Sequence, residues 1–300
     1  MSEAAPTFLT TREVAALLRV KERKVYDLAA AGEIPCRRVT GKLLFPRAEI
    51  EAWLAGGAGT KGAAAPQGRP ATAPANILAG SHDPLLDWAT RESGSGLATF
   101  FDGSLDGLAR LARGEAGIAG LHVFEPARGD WNVEHVEAAL GGAPVVLVEW
   151  ARRQQGLLLA EGLEGQVGSV ADLAGRRVVR RQASAGAGLL LDHLIAEADL
   201  AGKIDFVTEV ARTETEAAAA VASGQADAAP GLAAMARQFG LGFLPTLEER
   251  FDLAVDRHAW FEPPFQRLLS FCAGAAFKTK AAELGGYDLS GHGRVVWNAP

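Results

Sequence analysis

The chain reads Arg180-Arg181-Gln182-Ala183-Ser184-Ala185-Gly186-Ala187-Gly188 where a short apolar segment gives way to leucines at helical spacing. Residues 176–179 predict a strand, and residues 189–198 predict an amphipathic helix. The first N–H groups of a helix have no intrahelical partner, and the helix dipole adds partial positive charge there. Glycines at 186 and 188 would let an anion approach the backbone closely. The pattern fits either an anion site or an ordinary loop with Ser184 as N-cap.

Strands that end in short polar loops and lead into helices recur elsewhere in the chain. Residues 76–80 precede Ser81-His82-Asp83-Pro84, and residues 97–101 precede Asp102-Gly103-Ser104. Alternating strands and helices predict an α/β fold with largely parallel sheets, in which ligands gather at the carboxyl ends of the strands. We therefore expect several helix N-termini to form a cleft for a small oxyanion.

Length and charge set broad limits on function. The chain has 300 residues, enough for two or three domains, and a net charge of −6. Residues 1–56 carry nine Lys/Arg and seven Asp/Glu, while the remainder carries 21 and 29. Residues 1–56 are therefore slightly basic and the remainder is acidic, which permits local nucleic-acid binding by the first 56 residues. The absence of a signal-like segment or of a long apolar run predicts a cytoplasmic protein with no membrane span.

The first 56 residues carry the pattern of a winged helix-turn-helix. Thr10 to Glu13 predicts a capping box, followed by two short helices joined by a tight turn, the second from Glu22 to Ala31. Residues 34–46 predict two short strands around a basic turn, and residues 47–54 predict a closing helix. DNA-reading helices place their contacts in the first turns, where this second helix carries Lys and Arg.

Residues 9–54, LTTREVAALLRVKERKVYDLAAAGEIPCRRVTGKLLFPRAEIEAWL, resemble the excisionase-type, MerR-like winged-helix DNA-binding domain. The resemblance implies double-stranded DNA as a partner, contacted by the second helix and by the wing. A charged, solvated helix followed by a hairpin is the alternative. The implied DNA-binding residues are Lys21, Arg23, Lys24, Tyr26, Arg37, Arg38 and Lys42.

Residues 57–75 are rich in Gly, Ala and Pro and show no periodic apolar face. Such composition predicts a flexible to semi-extended connector. The predicted organisation is thus a DNA-binding domain over 1–56, a linker over 57–75 and a ligand-binding domain over 76–300.

Segments of the predicted ligand-binding domain resemble a second family. They include GSHDPLLDWA at 80–89, GSVADLAGRRVVRRQASAGAGLLLDHLIAEA at 168–198 and AAAAVASGQADAAPG at 217–231. Together they are similar to the periplasmic-binding-protein-like domain that accompanies molybdenum and tungsten metabolism in the cytoplasm. The resemblance implies a two-lobed type II fold, with crossovers near Val148–Gln155 and after about Phe243. It also implies molybdate or tungstate as effector.

The predicted ligand-binding domain departs from that family's pattern in two places. Ala187 and Gly188 stand where Thr and Arg are typical, so one lobe lacks a donor and a fixed positive charge. Glu214 stands where His is common, and a carboxylate near an oxyanion is unfavourable. A small organic anion or a molybdopterin-like ligand is therefore an alternative effector.

Polar residues at the strand ends are the candidate ligand contacts. Hydroxyls, ring N–H groups and helix-end N–H groups can together bind a dianion without full charge pairing. Helix capping for the serines, structural bonding for the histidines and surface exposure for the arginines are the alternatives. The candidates are Ser81, His82, Ser104, His122, Arg153, Arg181, Gln182, Ser184, Ala185, Gly186 and Thr213.

The sequence contains no evident catalytic constellation. Cys36 and Cys272 lie far apart and show no metal spacing, and Ser184 lacks the nucleophile-elbow motif. Neither a phosphate-binding loop nor a dinucleotide fingerprint is evident, so we expect no metal, no cofactor and no enzyme. The resulting hypothesis is a one-component transcription regulator that forms a homodimer or a higher homo-oligomer. An architectural DNA-binding protein and an enzyme derived from a binding-protein fold are the alternatives.

Overall fold

The computed structural model describes residues 8–18, 20–30, 34–39, 42–47, 49–50 and 74–299. The chain divides into two compact units, Met1–Gln67 and Gly68–Pro300, which we call the head and the body. Residues 51–73 lie outside the described residues, so the predicted boundaries of the linker at 57 and 75 stay predictions.

The head contains a helix-turn-helix followed by a hairpin. Its helices are α1 (Thr11–Leu18) and α2 (Glu22–Ala30). Strands β1 (Phe8–Thr10), β2 (Arg37–Val39) and β3 (Lys42–Pro46) form an antiparallel sheet in the order β1-β3-β2. The helix-turn-helix and the two-stranded wing are therefore confirmed.

Local bonding and a small apolar core hold the head together. The backbone N–H of Thr10 donates to Glu13 Oε2 at 2.7 Å, and the backbone N–H of Glu13 donates to Thr10 Oγ1 at 3.3 Å, which confirms the capping box. Residues 47, 49 and 50 are helical, but the rest of the predicted closing helix lies outside the described residues. The buried core consists of Leu9, Val14, Ala15, Val25, Ile34, Phe45 and Ile50.

The body alternates strands and helices, as an α/β fold requires. Its strands are β4 (Ile77–Gly80), β5 (Ala98–Phe101), β6 (Ile118–Leu121), β7 (Phe124–Glu125), β8 (Asp130–Trp131), β9 (Val145–Leu159), β10 (Arg177–Arg181), β11 (Asp205–Ala211), β12 (Ala228–Leu232), β13 (Gly242–Asp256), β14 (Tyr287–Asp288) and β15 (Val295–Asn298). Its helices are α3 (Pro84–Glu92), α4 (Ser104–Ala112), α5 (Val133–Leu140), the 3-10 helix Val170–Leu173, α6 (Gly186–Glu197), α7 (Glu214–Ala222), α8 (Ala233–Phe239), α9 (Arg257–Phe261), α10 (Pro263–Cys272) and α11 (Ala275–Leu284).

Two long strands join two lobes. The main sheet runs in the order β11-β10-β12-β9-β13-β6-β4-β5, with β14 and β15 also paired to β9. Strands β4, β5 and β6 are mutually parallel in the N-lobe, and β10, β11 and β12 are mutually parallel in the C-lobe. Strands β9 and β13 run antiparallel from Gly242↔Leu159 to Asp256↔Val145 and cross from one lobe to the other. The two predicted crossovers are thus confirmed, and the fold is the two-lobed type II arrangement.

The sequence pattern was wrong about the continuity of the first crossover. The apolar runs at 145–150 and 156–160 predict two strands, the second preceded by the polar residues Arg152 to Gln155, but β9 is one strand of 15 residues. Strand β13 pairs with β9 along its length, and this pairing carries the polar segment through the sheet. Among the described residues, no helix is long and apolar enough to cross a membrane.

Candidate functional site

The floor of the cleft is the segment where β9 and β13 cross between the lobes. Arg153 and Gln155 are two residues apart on β9, so their side chains project from the same face of the strand. Both are 1% exposed, although they belong to a run of four polar residues, 152–155. The sequence predicted Arg153 as a ligand contact but not Gln155.

Arg153 is held between two carboxylates. Its Nη1 donates to Asp83 Oδ2 at 2.9 Å, its Nη2 donates to Glu249 Oε1, and its guanidinium carbon lies 4.4 Å from the centre of the Phe251 ring. Burial alone would lower the pKa of Arg153, but Glu249 and Asp83 hold that pKa above its usual value. The positive charge is therefore already compensated, and Nε is its one N–H donor nitrogen with no partner among the described residues.

Asp83 accepts four hydrogen bonds, which connect α3, β9 and β14. Its Oδ1 accepts from the backbone N–H of Leu86 at 2.7 Å, as the N-cap of α3, and from Trp150 Nε1 at 3.1 Å. Its Oδ2 accepts from Arg153 and from the hydroxyl of Tyr287 at 2.7 Å. The sequence predicted the helix start but neither the buried ion pair nor the contribution of Tyr287, which comes from the distant strand β14.

Three predicted residues meet in the N-lobe. The hydroxyls of Ser81 and Ser104 lie 2.8 Å apart, and Ser104 Oγ accepts from the backbone N–H of His122 at 3.2 Å. His122 Nδ1 lies 2.8 Å from Glu249 Oε2, a carboxylate that the sequence did not suggest. These contacts bring Ser81, Ser104 and His122 into one buried hydrogen-bonded cluster.

Helix capping does not explain the three candidate serines. The N-caps of α3, α4 and α6 are Asp83, Gly103 and Ala185, so none of Ser81, Ser104 and Ser184 is a cap. Ser81 and Ser104 hydrogen-bond to each other, and Ser184 hydrogen-bonds to Asp106 across the cleft. Ala185 and Gly186, also predicted, form the buried start of α6.

His82 lies at the same strand end, with a different environment. Its ring contacts Phe101 edge-on, with 5.3 Å between ring centres. Its Nδ1 is buried without a partner among the described residues. Burial lowers the pKa of His82, and the neighbouring Glu214 carboxylate opposes that shift. His82 therefore favours the neutral ring.

Arg181 connects the end of β10 to the end of β11 and the start of α7 in the C-lobe. Its Nε donates to the carbonyl of Ala211 at 3.1 Å, and its Nη1 donates to Glu214 Oε1 at 2.5 Å. Glu214 is 1% exposed, and its second oxygen, Oε2, has no partner among the described residues. Thr213 Oγ1 accepts from the backbone N–H of Glu216 at 3.0 Å and caps α7. Arg181 and Thr213 thus have structural partners, whereas Glu214 retains a free oxygen.

The two lobes contact each other across the cleft. Ser184 Oγ donates to Asp106 Oδ2 at 2.5 Å, and the carbonyl of Ser184 accepts from the backbone N–H of Leu105 at 3.1 Å. Gln182 Nε2 donates to the carbonyl of Asp102, whose side chain pairs with Arg212 at 3.0 Å. These contacts describe a closed cleft.

A cavity of about 490 Å³ opens beside His82 and is lined by both lobes. Asp87, Trp88 and Arg91 line it from α3, and Arg237 lines it from α8. Thr215, the residue after Glu214, also lines the cavity. The cavity therefore lies beside His82 and reaches the first turn of α7, where Thr215 follows Glu214.

The predicted DNA-contacting residues lie in α2, beside it and in the wing. Lys21, Arg23 and Lys24 are exposed at the start of α2, and Tyr26 is 52% exposed. Arg37 is exposed and pairs with Glu49 at 2.8 Å. Arg38 and Lys42 lie in β2 and β3, but their side chains lie outside the described residues.

Comparisons with known proteins agree with this two-unit organisation. The family model described as a PBP superfamily domain matches residues 86–273, and the model described as a helix-turn-helix domain matches residues 8–58. The uncharacterized protein YvgK of Bacillus subtilis is 26% identical over 309 residues, covering 96% of this chain and 97% of that protein. An uncharacterized protein of Clostridium pasteurianum is 36% identical over 80 residues, 26% of this chain and 71% of that protein.

Solved structures resemble the body more remotely. An amino acid transporter substrate-binding protein of Streptococcus pneumoniae covers 69% of this chain and 93% of its own, with a TM-score of 0.47 and 13% identity. The alkanesulfonate-binding protein SsuA of Xanthomonas axonopodis covers 71% and 79%, with a TM-score of 0.43 and 18% identity. Because the superfamily model spans more than half of the sequence, the chain belongs to the PBP superfamily domain family, with a helix-turn-helix domain in its N-terminal part.

Proposed function

We propose that this chain is a one-component transcription regulator that acts in the cytoplasm, binds DNA through its head and binds a small ligand in the cleft of its body. The single observation that best supports the proposal is the cleft itself. Two lobes joined by the crossing strands β9 and β13 meet around buried polar atoms that have no partner among the described residues. Buried polar groups without partners are costly, and a ligand would satisfy them.

Closure of the cleft is the step that couples the ligand to DNA. A ligand shifts a conformational equilibrium only by binding the two conformations unequally. The predicted homodimer or higher homo-oligomer would convert closure into a change in the spacing of two heads, and hence in affinity for two half-sites. Light scattering on the purified chain measures the oligomeric state, and a monomer on DNA would contradict this part of the proposal.

A tetrahedral oxyanion, molybdate or tungstate, is the first candidate ligand. Helices α4, α6 and α7 begin just beyond the carboxyl ends of the parallel strands β5, β10 and β11, and their N-termini favour anions. Ser81 and Ser104 supply hydroxyls at one of these ends. The ligand prediction thus depends on backbone N–H groups rather than on free positive charge.

A small organic ligand is the second candidate, and the charges of the cleft favour it. Arg153 and Arg181 are both engaged by buried carboxylates, so neither offers an uncompensated charge to a dianion. Glu214 Oε2 adds a free acceptor. An organic molecule with both donors and acceptors would satisfy these atoms better than an oxyanion.

A thermal-shift panel of molybdate, tungstate, sulfate, phosphate and small organic acids tests the ligand role. A ligand at 100 times its dissociation constant stabilises the folded chain by about 2.7 kcal/mol. The bound compound should be recovered unchanged, since we propose a regulator rather than an enzyme. Turnover of a stabilising compound would contradict that part of the proposal, and stabilisation by none would favour the architectural alternative.

A further inference from the structure

Unpartnered polar atoms of the cleft come from both lobes and from the floor. They are buried, belong to residues that are not exposed, and have no hydrogen-bond partner among the described residues. Two of the residues, Gln155 and Glu214, are each 1% exposed. Leaving such atoms unpaired costs free energy, so several of them at the strand ends and in the crossing segment of one cleft indicate a site for a polar molecule. The atoms are His82 Nδ1, Arg153 Nε, Gln155 Oε1 and Nε2, Gln182 Oε1 and Glu214 Oε2.

Glu214 contributes a buried carboxylate with one unpartnered oxygen among the described residues. Arg181 Nη1 occupies only Oε1 of this carboxylate, and the other nitrogens of Arg181 donate to backbone carbonyls of Ala211 and Arg212. The charge of Glu214 acts on His82 in the N-lobe and on Arg153 in the floor. Glu214 begins α7 beside Thr215, and Thr215 lines the cavity together with His82 of the N-lobe.

Among the described residues, buried carboxylates outnumber buried arginines at the site. Arg153 and Arg181 are the two cations, and Asp83, Glu249 and Glu214 are the three carboxylates. Both oxygens of Asp83 and of Glu249 accept hydrogen bonds from Arg153 and from neighbouring donors. Of these three carboxylates, Glu214 is the one with an oxygen that has no partner among the described residues. Placing a dianion beside it in a weakly polar interior is repulsive.

We propose that the cleft binds a small organic molecule carrying a protonated amine, and that Glu214 is the residue that selects it. The amine donates to Glu214 Oε2, an acceptor group of the same molecule receives Arg153 Nε–H, and the amide of Gln155 pairs with a further polar group. This inference depends on the proposed ligand-binding function of the cleft. It adds Glu214 and Gln155 to the residues that contact the ligand.

Thermal shift followed by calorimetry on the full chain tests the proposal. The probes are the twenty standard amino acids, linear diamines, molybdate and tungstate. The strongest amine-bearing probe is then compared with its analogue that lacks only the amine. We expect removal of the amine, or the substitution Glu214→Gln, to weaken binding by about ten- to a hundredfold, the typical effect of losing a charge-assisted hydrogen bond.

A matched control separates the cleft from overall charge. Glu209→Gln removes the same charge from an exposed position of β11 and should bind the amine probe as the original chain does. Glu214→Gln retains a side-chain oxygen for Arg181, and circular dichroism checks that it folds. For molybdate we expect the opposite effect on affinity. Glu214→Gln should bind this anion about tenfold more tightly than the original chain, because the repelling carboxylate is removed.

The experiment distinguishes failure of this inference from failure of the regulator proposal. Tight binding of molybdate to the original chain with no stabilisation by any amine-bearing probe would overturn the inference while leaving a ligand-binding regulator. Equal binding of the amine probe by Glu214→Gln and the original chain would also overturn it. Amine binding that depends on Glu214 but leaves DNA affinity unchanged would support the inference and contradict the regulator.

Discussion

At the scale of single residues, Arg153 is the group on which the cleft depends most. It is the only cation that bonds both Asp83 and Glu249 among the described residues, and all three side chains are at most 1% exposed. Removing one partner of a buried ion pair leaves an uncompensated charge, which costs far more than the pair contributes in the intact protein.

We therefore predict that Arg153→Met lowers the free energy of unfolding by about 3–5 kcal/mol. Arg128→Met changes an exposed arginine of the same lobe and should leave stability nearly unchanged. Urea titration of the two variants measures the difference. Equal stability of both variants would mean that Asp83 and Glu249 are not the buried charged partners described above.

The pH dependence of stability tests the environment of His82. Burial lowers its pKa below 6.5 in the folded chain, so the unfolded chain takes up this proton more readily. The contribution of His82 is present above pH 6.5 and is lost as the pH falls through the lowered pKa. The stability of the original chain should therefore fall more steeply between pH 8 and pH 5 than that of His82→Gln. Parallel curves would contradict a buried neutral ring.

Single-residue patterns predicted part of the site and missed the rest for a physical reason. Ser81, Ser104 and His122 are recognisable because each follows shortly after a strand, and the structure brings them together. Glu249 and Tyr287 sit in segments whose local sequence carries no such signal. Their roles arise from contacts with Arg153 and Asp83 that span many residues of chain.

At the scale of elements, the N-terminus of α6 in the C-lobe packs closely against the end of β6 in the N-lobe. A Cβ added at Gly186 would overlap the carbonyl oxygen of His122, and that backbone atom cannot rotate away as a side chain could. The glycine that the sequence associated with an anion thus serves the contact between the lobes.

Gly186→Ala should hold the lobes apart and weaken closure, at a cost of about 1–3 kcal/mol typical of overpacking. Gly142→Ala, where an added Cβ has no atom within 4 Å, is the matched control. Small-angle scattering should show a larger radius of gyration for the first variant only. An unchanged radius together with unchanged ligand binding would show that this contact does not govern closure.

The start of α2 is the element that we expect to read DNA. Arg23→Ala combined with Lys24→Ala should weaken operator binding by about 1–3 kcal/mol for each lost base contact. Arg12→Ala, an exposed arginine of α1, provides the control. Fluorescence anisotropy with promoter DNA measures both. A double variant that binds like the original chain would place the reading surface elsewhere.

Element patterns explain which parts of the fold the sequence could predict. Strand–loop–helix junctions such as Asp83-Pro84 are local, because a cap and a proline fix the helix start within a few residues. The continuity of β9 is not local, because its polar segment is held as a strand by pairing with β13, β12 and β14. Long-range pairing is invisible to a window of local sequence.

At the scale of the whole molecule, the combination of domains carries the functional argument. A helix-turn-helix domain and a PBP superfamily domain in one chain make a DNA-binding regulator with a ligand-binding domain. Allosteric coupling is reciprocal, so a ligand that changes DNA affinity by some factor must itself bind differently by the same factor when DNA is present.

The most direct test is the affinity of the full chain for the promoter DNA of its own gene, measured by anisotropy with and without a compound that stabilises the body in thermal shift. We predict that a saturating concentration of this compound changes the dissociation constant for DNA by about 5- to 150-fold, the usual range of allosteric coupling. The same compound should have no such effect on Gly186→Ala, whose lobes cannot close fully. An identical dissociation constant with and without a compound that demonstrably occupies the cleft would contradict the proposal that the chain is a ligand-responsive regulator.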